Sequence, residues 1–442
     1  MARANPPLAF WWSDDGGFVG PNHRSGQGEP LRKRARRRRG AQDLLSDDRL
    51  ARRARPLSTR FPAPHFPSEF DEGTIFFDSG FAAPQLLPDL TPYAEAALGA
   101  HREEVLQYAS GRGQPYMRAW LAEWMNANGC DLTADHILVT NGAKQGIDLV
   151  CRLLLDEGDA IVVTAPTYFT AVPIFRNFGV EFIEVGQDAA GLDVAALAAA
   201  LDRRAAAGRA APKLIYNVPE FHNPTGTTMP DARRAALVAL AEERGIAIIE
   251  DSPYRRVRFE GADQAPLKAL DRSGSIFHLG SFSKLVAPGL RIGWVAAEPA
   301  LIARMIALKS EGGSSPLIQR IIHGFASSPA FPAHIARVQA AYRERRDAMM
   351  TALARELPTA RVAAPEGGYY VWVTLPDEAD GDQLAARAAE AGVHLIAGSR
   401  FFASQGAGVP RNHVRLAYSY ATPTQIEEGV RRLGAVYRSM TC

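Results

Sequence analysis

The sequence predicts an α/β chain in two parts. A large domain over residues 115–325 holds a mostly parallel sheet between helices, and a smaller α+β domain spans 326–442. Three observations predict this. Short, wholly apolar segments alternate with amphipathic stretches, the pattern of parallel strands covered on both faces. Several apolar segments end in small, hydroxylic or charged residues, and sheets of this kind bind ligands at the carboxyl ends of their strands. After about residue 325 the alternation gives way to one long helical stretch and then a mixture of strands and helices.

In chain order, Ile137-Leu138-Val139 reads as the first strand. Lys144 to Leu155 then places Ile147, Val150, Cys151 and Leu154 on one helical face. Ile161-Val162-Val163 is the next strand, a helix is predicted over 168–178, and Glu181-Phe182-Ile183 follows. Lys213 to Tyr216 and Ile246 to Ile249 are strands on either side of a helix at 230–244. Strands at 275–279 and 292–296 come next. In the second part a helix over 333–355 precedes strands near 369–374, 393–396 and 412–417 and helices at 381–391 and 424–438.

Composition removes whole classes of function. The chain has 442 residues, 47 % of them apolar and 22 % charged, too apolar to be disordered throughout. No run approaches the roughly 18–20 consecutive apolar residues of a membrane span, so no membrane partner is expected. Cys130, Cys151 and Cys442 are too few for a disulfide framework and match no zinc spacing. No metal site is predicted, and a reducing cytoplasm is the expected location.

The net charge of +2 hides an asymmetry: residues 1–60 carry +8 and residues 61–442 carry −6. The mildly acidic body argues against nucleic acid as the main partner. The first 60 residues include the run Arg32-Lys33-Arg34-Ala35-Arg36-Arg37-Arg38-Arg39 and show no sustained periodicity. They read as a disordered extension or as sequence upstream of the working start, with a nucleic-acid-binding tail as the alternative. No apolar core follows the charges, which counts against a secretory peptide. A folded winged helix lacks its apolar periodicity here. Of 50 basic residues 44 are Arg and six are Lys, at 33, 144, 213, 268, 284 and 309. Arg cannot serve as a free amine nucleophile, so each Lys carries more information.

Four strand ends then carry chemistry. Thr140-Asn141-Gly142-Ala143-Lys144-Gln145-Gly146 leads a strand into a helix, a ready phosphate site or simply a tight turn. Asn217 to Gly226 contains the turn Asn223-Pro224-Thr225-Gly226. Glu250-Asp251-Ser252-Pro253-Tyr254 ends an apolar strand in two carboxylates. A buried acid costs several kcal/mol unless paired, so a cationic partner is expected, and the acid inside the cleft is the functional one. Gly280-Ser281-Phe282-Ser283-Lys284 is followed by Pro288-Gly289-Leu290-Arg291. Ser281, Ser283 and Arg291 suit a phosphate monoester, and Lys284 beside them is an amine able to form a Schiff base.

These motifs, in this order and spacing, resemble the pyridoxal-phosphate (PLP) enzymes of the aspartate aminotransferase superfamily, fold type I, class I/II. The resemblance covers roughly residues 72–440. It includes Pro365-Glu366-Gly367-Gly368-Tyr369-Tyr370-Val371-Trp372 and Val414-Arg415-Leu416. It implies an N-terminal arm over 61–114 that packs with the small domain.

The resemblance also implies roles. Lys284 forms the Schiff base with the PLP aldehyde and then acts as general base. Asp251 binds the pyridine nitrogen and keeps it protonated. Asn223 and Tyr254 bond the ring 3′-oxygen, and Tyr168 stacks on the ring, unless it is a core aromatic. Gly142, Ala143, Lys144, Ser281, Ser283 and Arg291 hold the phosphate, together with Tyr108 from a second subunit, which makes a homodimer the expected assembly. Arg415, with Asn223, binds the substrate α-carboxylate; the alternative for Arg415 is a salt bridge in the small domain.

Two positions depart from the family pattern. Lys144 stands where many relatives have an uncharged polar residue, and His222 where Gln is frequent. Residues 78–90 offer no Arg to an acidic substrate side chain, which favours neutral or aromatic amino acids. The implied activity is an aminotransferase moving the amino group of an L-amino acid to a 2-oxo acid. A PLP-dependent carbon–sulfur β-lyase on the same scaffold is one alternative. An aminotransferase-like transcription regulator is another, although residues 1–70 are short for a winged helix and its linker.

Overall fold

The computed structural model describes residues 73–441 other than 405 and 407; the basic segment and Cys442 lie outside the described residues. An eight-stranded sheet forms the centre. Its spatial order is Ile137–Thr140, Gly293–Ala296, Ile276–Ser281, Ala247–Asp251, Leu214–Asn217, Ala160–Ala165, Glu181–Asp188 and Gly191–Leu192. The five strands from Ile276–Ser281 to Glu181–Asp188 are mutually parallel. Gly293–Ala296 runs antiparallel to both of its neighbours.

Alternation along the strands sends side chains to two separate cores. Ile161, Val163, Leu214, Tyr216 and Ile249 face the helices Ala143–Leu154 and Pro299–Leu308, with Ile147, Val150, Cys151 and Met305 between them. Val162, Ile215 and Ile248 face Val194–Ala206 and Asp231–Arg244, packing on Leu197, Leu201, Leu237 and Val238. Burial on both faces is why these strands read as continuous apolar runs. The helix Asp231–Arg244 stops at Gly245, whose φ of 63° suits glycine at a helix end. Helices Pro115–Asn126, Pro299–Leu308 and Pro316–Ala326 each open on proline, where a missing N–H costs nothing.

A second, antiparallel sheet orders Arg361–Val362, Tyr370–Thr374, His413–Ala417 and Ile396–Ala397. It packs on the long helix Ala330–Glu356 and on Pro423–Thr441 through Tyr342, Met349, Leu416 and Leu433. The chain start joins this part, as Ile75–Phe76 pairs parallel with Val393–His394. No helix among the described residues is long and apolar enough to cross a membrane.

Two elements differ from the sequence reading. The helix predicted at 168–178 is only Val172–Arg176. Starting at 168 would put Pro173 inside the helix, where it removes a hydrogen bond and clashes; starting at Val172 places it in the first turn. The strand predicted at 393–396 is two strands serving different sheets, Val393–His394 and Ile396–Ala397.

Candidate active site

The carboxyl ends of the parallel strands surround a cavity of about 220 Å³. Ala143, Lys144, Tyr168, Asn223, Asp251, Tyr254, Ser281, Ser283, Lys284 and Arg291 line it, drawn from five separate segments. Gly142 sits just behind, as the N-cap of Ala143–Leu154 with φ 89°. A Cβ there would stand 2.7 Å from Arg291 Nη2, so glycine meets both the conformation and the space.

The carboxylate doublet divides as expected. Glu250 turns away from the cavity and accepts from the backbone N–H groups of Leu267 (2.6 Å) and Lys268 (3.0 Å), with His278 Nδ1 at 2.8 Å. Asp251 faces the cavity. Its Oδ2 accepts from the Tyr216 hydroxyl at 2.7 Å, and its buried Oδ1 has no partner. Burial pushes the Asp251 carboxyl up to about 6, against the pull of the Tyr216 hydrogen bond. An acid this deep, with an open oxygen, is a site for a cationic N–H.

Asn223 repeats the pattern. Its Oδ1 accepts from Arg415 Nη1 at 3.1 Å, while its buried Nδ2 has no acceptor. The Tyr254 hydroxyl donates to the Tyr370 hydroxyl at 3.5 Å, and burial raises the Tyr254 phenol well above its ordinary value. Together these groups offer donors to a ligand oxygen.

At the other end, the Ser281 hydroxyl donates to Ser283 Oγ at 3.0 Å and accepts from the Ser283 N–H at 3.1 Å. Arg291 Nη2 donates to the Asn141 carbonyl at 3.0 Å. The free N–H groups of the first turn of Ala143–Leu154 complete an anion cradle. Lys144 adds an ammonium; burial lowers its pKa, as do the charges of Arg291 and Lys284.

Lys284 Nζ donates to the Gly80 carbonyl at 2.6 Å and lies 5.1 Å from the centre of the Tyr369 ring. Burial lowers its pKa; the Tyr370 phenol raises it and Arg415 lowers it further. That weakens the ammonium's hold on its proton.

Arg415 does not line the same cavity but stands beside it, bonded to Asn223 and to the Asp78 carbonyl. Its Nε is buried without a partner, and no carboxylate pairs with it among the described residues. The salt-bridge alternative therefore has no acid to use. Tyr108 lies apart, 92 % exposed, so one chain does not bring it to the cavity. His222 is buried away from the cavity, between Thr164 Oγ1 (3.1 Å) and Thr225 Oγ1 (3.0 Å), and burial lowers its pKa to about 3. Burial therefore favours its neutral ring.

Sequence reasoning missed Tyr216, Tyr370 and the Asp78 and Gly80 carbonyls. A tyrosine ending an apolar strand next to the Asp251 strand was a usable signal for Tyr216. Tyr370 lies within the motif Pro365 to Trp372, which carries no signal for its separate contacts. Backbone carbonyls have no signal in side-chain identity.

The family model described as "Aminotransferase class I and II" matches residues 84–433. The aromatic-amino-acid aminotransferase 1 of Thermococcus litoralis is 35 % identical over 365 residues, covering 81 % of this chain and 87 % of that protein. The α-aminoadipate aminotransferase LysN of Thermus thermophilus, solved with N-(5′-phosphopyridoxyl)-L-leucine, superposes with a TM-score of 0.81. It is 32 % identical, over 90 % of this chain and 99 % of that one. A Bacillus subtilis protein named as an uncharacterized HTH-type transcriptional regulator, YdfD, is 29 % identical over 76 % of this chain and 68 % of its own length.

Proposed function

The chain belongs to the aminotransferase class I and II family, and from that premise we propose that it moves the amino group of a neutral or aromatic L-amino acid to a 2-oxo acid. The cofactor is pyridoxal 5′-phosphate. One observation carries the reading: buried Asp251 Oδ1 has no partner, in the cavity that also holds Lys284.

The residues present fit the cofactor. Asp251 Oδ1 suits a protonated ring nitrogen, and Asn223 Nδ2 with the Tyr254 hydroxyl suits a ring oxygen. The N–H groups of Ala143 and Lys144, the Ser281 and Ser283 hydroxyls and Arg291 suit a phosphate, and Tyr168 lines the cavity where it can stack on a ring. When bound, the cofactor supplies an electron sink that makes the substrate Cα–H acidic and carries the amino group between two acids. Lys284 would anchor it and, once the incoming substrate amine has freed Nζ, would take the Cα proton at that atom. Asp251 keeps a proton on the ring nitrogen. Arg415 orients the α-carboxylate, with its open Nε available for a two-point contact.

Aromatic rings surround the carboxylate-binding group. Arg415 lies 4.2 Å from the Tyr370 ring centre, 5.1 Å from Phe401 and 5.9 Å from Phe169, which supports apolar substrates. Exposed Tyr108, with Leu106 at 61 %, supports a homodimer in which Tyr108 reaches the second copy's phosphate cradle. Buried free Cys130 and Cys151 support a cytoplasmic location. The confinement of the central sheet to residues 137–296, and of the antiparallel sheet to 361–417, supports the division into 115–325 and 326–442. The pairing of Ile75–Phe76 supports an arm over the described part of 61–114, residues 73–114; residues 61–72 lie outside the described residues.

The test is a panel of single amino donors with a 2-oxo acid acceptor. Neutral and aromatic donors should give the highest kcat/KM. Pyruvate and ammonia released from a cysteine conjugate without acceptor would move the assignment to the β-lyase. The likeness to the YdfD regulator favours a second reading, a transcription regulator on this scaffold. It predicts selective duplex DNA binding by the full chain.

A further inference from the structure

Tyr370 belongs to none of the roles above, yet it touches two of the groups that carry them, Arg415 and Tyr254. It begins the strand Tyr370–Thr374, and two residues on Trp372 sits directly opposite Arg415. Tyr370 and Arg415 are therefore diagonal neighbours on one face of the sheet. The guanidinium lies 4.2 Å from the Tyr370 ring centre, a desolvated cation–π contact, since Tyr370 is 4 % exposed and Arg415 2 %. The hydroxyl end reaches the Tyr254 hydroxyl at 3.5 Å and closes against Gly80, where a Cβ would overlap it. Burial opposes ionisation of the phenol, but the charges of Lys284 and Arg415 outweigh it and hold Tyr370 below its ordinary value.

We propose that Tyr370 is a positioning residue linking the two halves of the site: its ring seats the Arg415 guanidinium and its hydroxyl orients the Tyr254 hydroxyl. The inference rests on the reading of Tyr254 as a donor to the cofactor's ring oxygen. When Tyr254 donates there instead of to Tyr370, the direction of their contact reverses: the Tyr254 oxygen is open to receive a proton donor, and the Tyr370 hydroxyl is the group placed to give one. A hydroxyl that receives a hydrogen bond donates a stronger one. At 3.5 Å the pair is longer than an ordinary hydroxyl contact, and such contacts tighten when a site fills.

The experiment is a pH titration of the visible band of the PLP-loaded enzyme, with binding of an unreactive monocarboxylate, 3-phenylpropionate, measured in parallel. Tyr370→Phe keeps the ring and removes the hydroxyl. It should raise the midpoint of the band by about 0.5 pH unit, because a ring oxygen with a weaker donor is a poorer anion. Carboxylate affinity should change less than about twofold. In a Tyr254→Phe background the same substitution should produce no further shift, the non-additivity of residues acting in series. Tyr370→Leu removes the ring and should weaken 3-phenylpropionate about fivefold or more.

An unchanged midpoint in Tyr370→Phe would overturn the proposal. So would a lowered one, which would mean that the phenol acts directly on Lys284. A full shift persisting in the Tyr254→Phe background, or unchanged carboxylate binding in Tyr370→Leu, would also overturn it. A wild-type protein with no visible band would instead overturn the cofactor reading on which the inference rests.

Discussion

Two buried carboxylates near the cavity keep opposite company. Glu220 is fully buried with every need met: Arg234 Nη1 at 2.8 Å, Arg255 Nη1 at 2.9 Å and the Ser252 hydroxyl at 2.8 Å. Burial alone would raise its pKa, but the two guanidinium groups hold it well below the usual carboxylate range. Asp251 receives one hydrogen bond, from Tyr216, and burial holds it near 6. A chain selected for stability alone would close both clusters, because unsatisfied buried polar atoms are costly. The closed cluster also builds the open one. Ser252 and Arg255, tied to Glu220, flank Asp251 and Tyr254 along the chain and hold that turn in place.

The largest effect belongs to Lys284→Ala, which should cut transamination by about 10³–10⁴-fold in single-turnover assays while the apoprotein melts normally. Glu220→Gln should cost the fold about 3–5 kcal/mol in urea denaturation, since Arg234 would be left buried without its counter-charge and Arg255 with Asp263 alone, at 3.3 Å.

Asp251→Asn should do the reverse. The Asp251 pKa is raised on folding, so the native state binds the extra proton between about pH 4 and 6. Apoprotein stability from this group therefore falls as pH rises through that window, by roughly 3 kcal/mol in all. Above pH 6 the Asn variant should be the more stable apoprotein, by denaturation, and the poorer enzyme. An Asn variant less stable than wild type at about pH 8 would show that Asp251 is a structural residue like Glu220.

Arg415→Ala should raise KM for amino donors about 30- to 100-fold, the worth of a charged two-point contact. The smallest effect is expected of Tyr168→Leu, a loss of stacking worth about 1 kcal/mol, read as a roughly fivefold rise in the cofactor dissociation constant.

Much of this was legible in the sequence. The Glu250-Asp251 doublet announced a buried acid in need of a cation, and Asp251 proved to be the acid inside the cleft. Lys144, which departs from the family pattern, lines the cavity. Two-faced apolar strands were readable because burial on both sides leaves no polar alternation. The apolar spacing over 168–178 suggests a longer helix than Pro173 permits, since proline is tolerated only in the first turn. The break at Leu395 could not be read from periodicity, since it depends on which sheet each half joins. The carbonyls of Asp78 and Gly80 reach Arg415 and Lys284 through chain path alone.

The central claim is that the open cluster around Asp251 and Lys284 is where the amino group is moved. The most direct measurement is the half-reaction: PLP-loaded protein, one neutral or aromatic amino acid and no acceptor, followed by absorption and product analysis. The expected result is one equivalent of 2-oxo acid per site, complete conversion of the cofactor to its amine form, and no conversion in Lys284→Ala. Ammonia accumulating over many turnovers, or equal conversion in the Lys284→Ala protein, would contradict it.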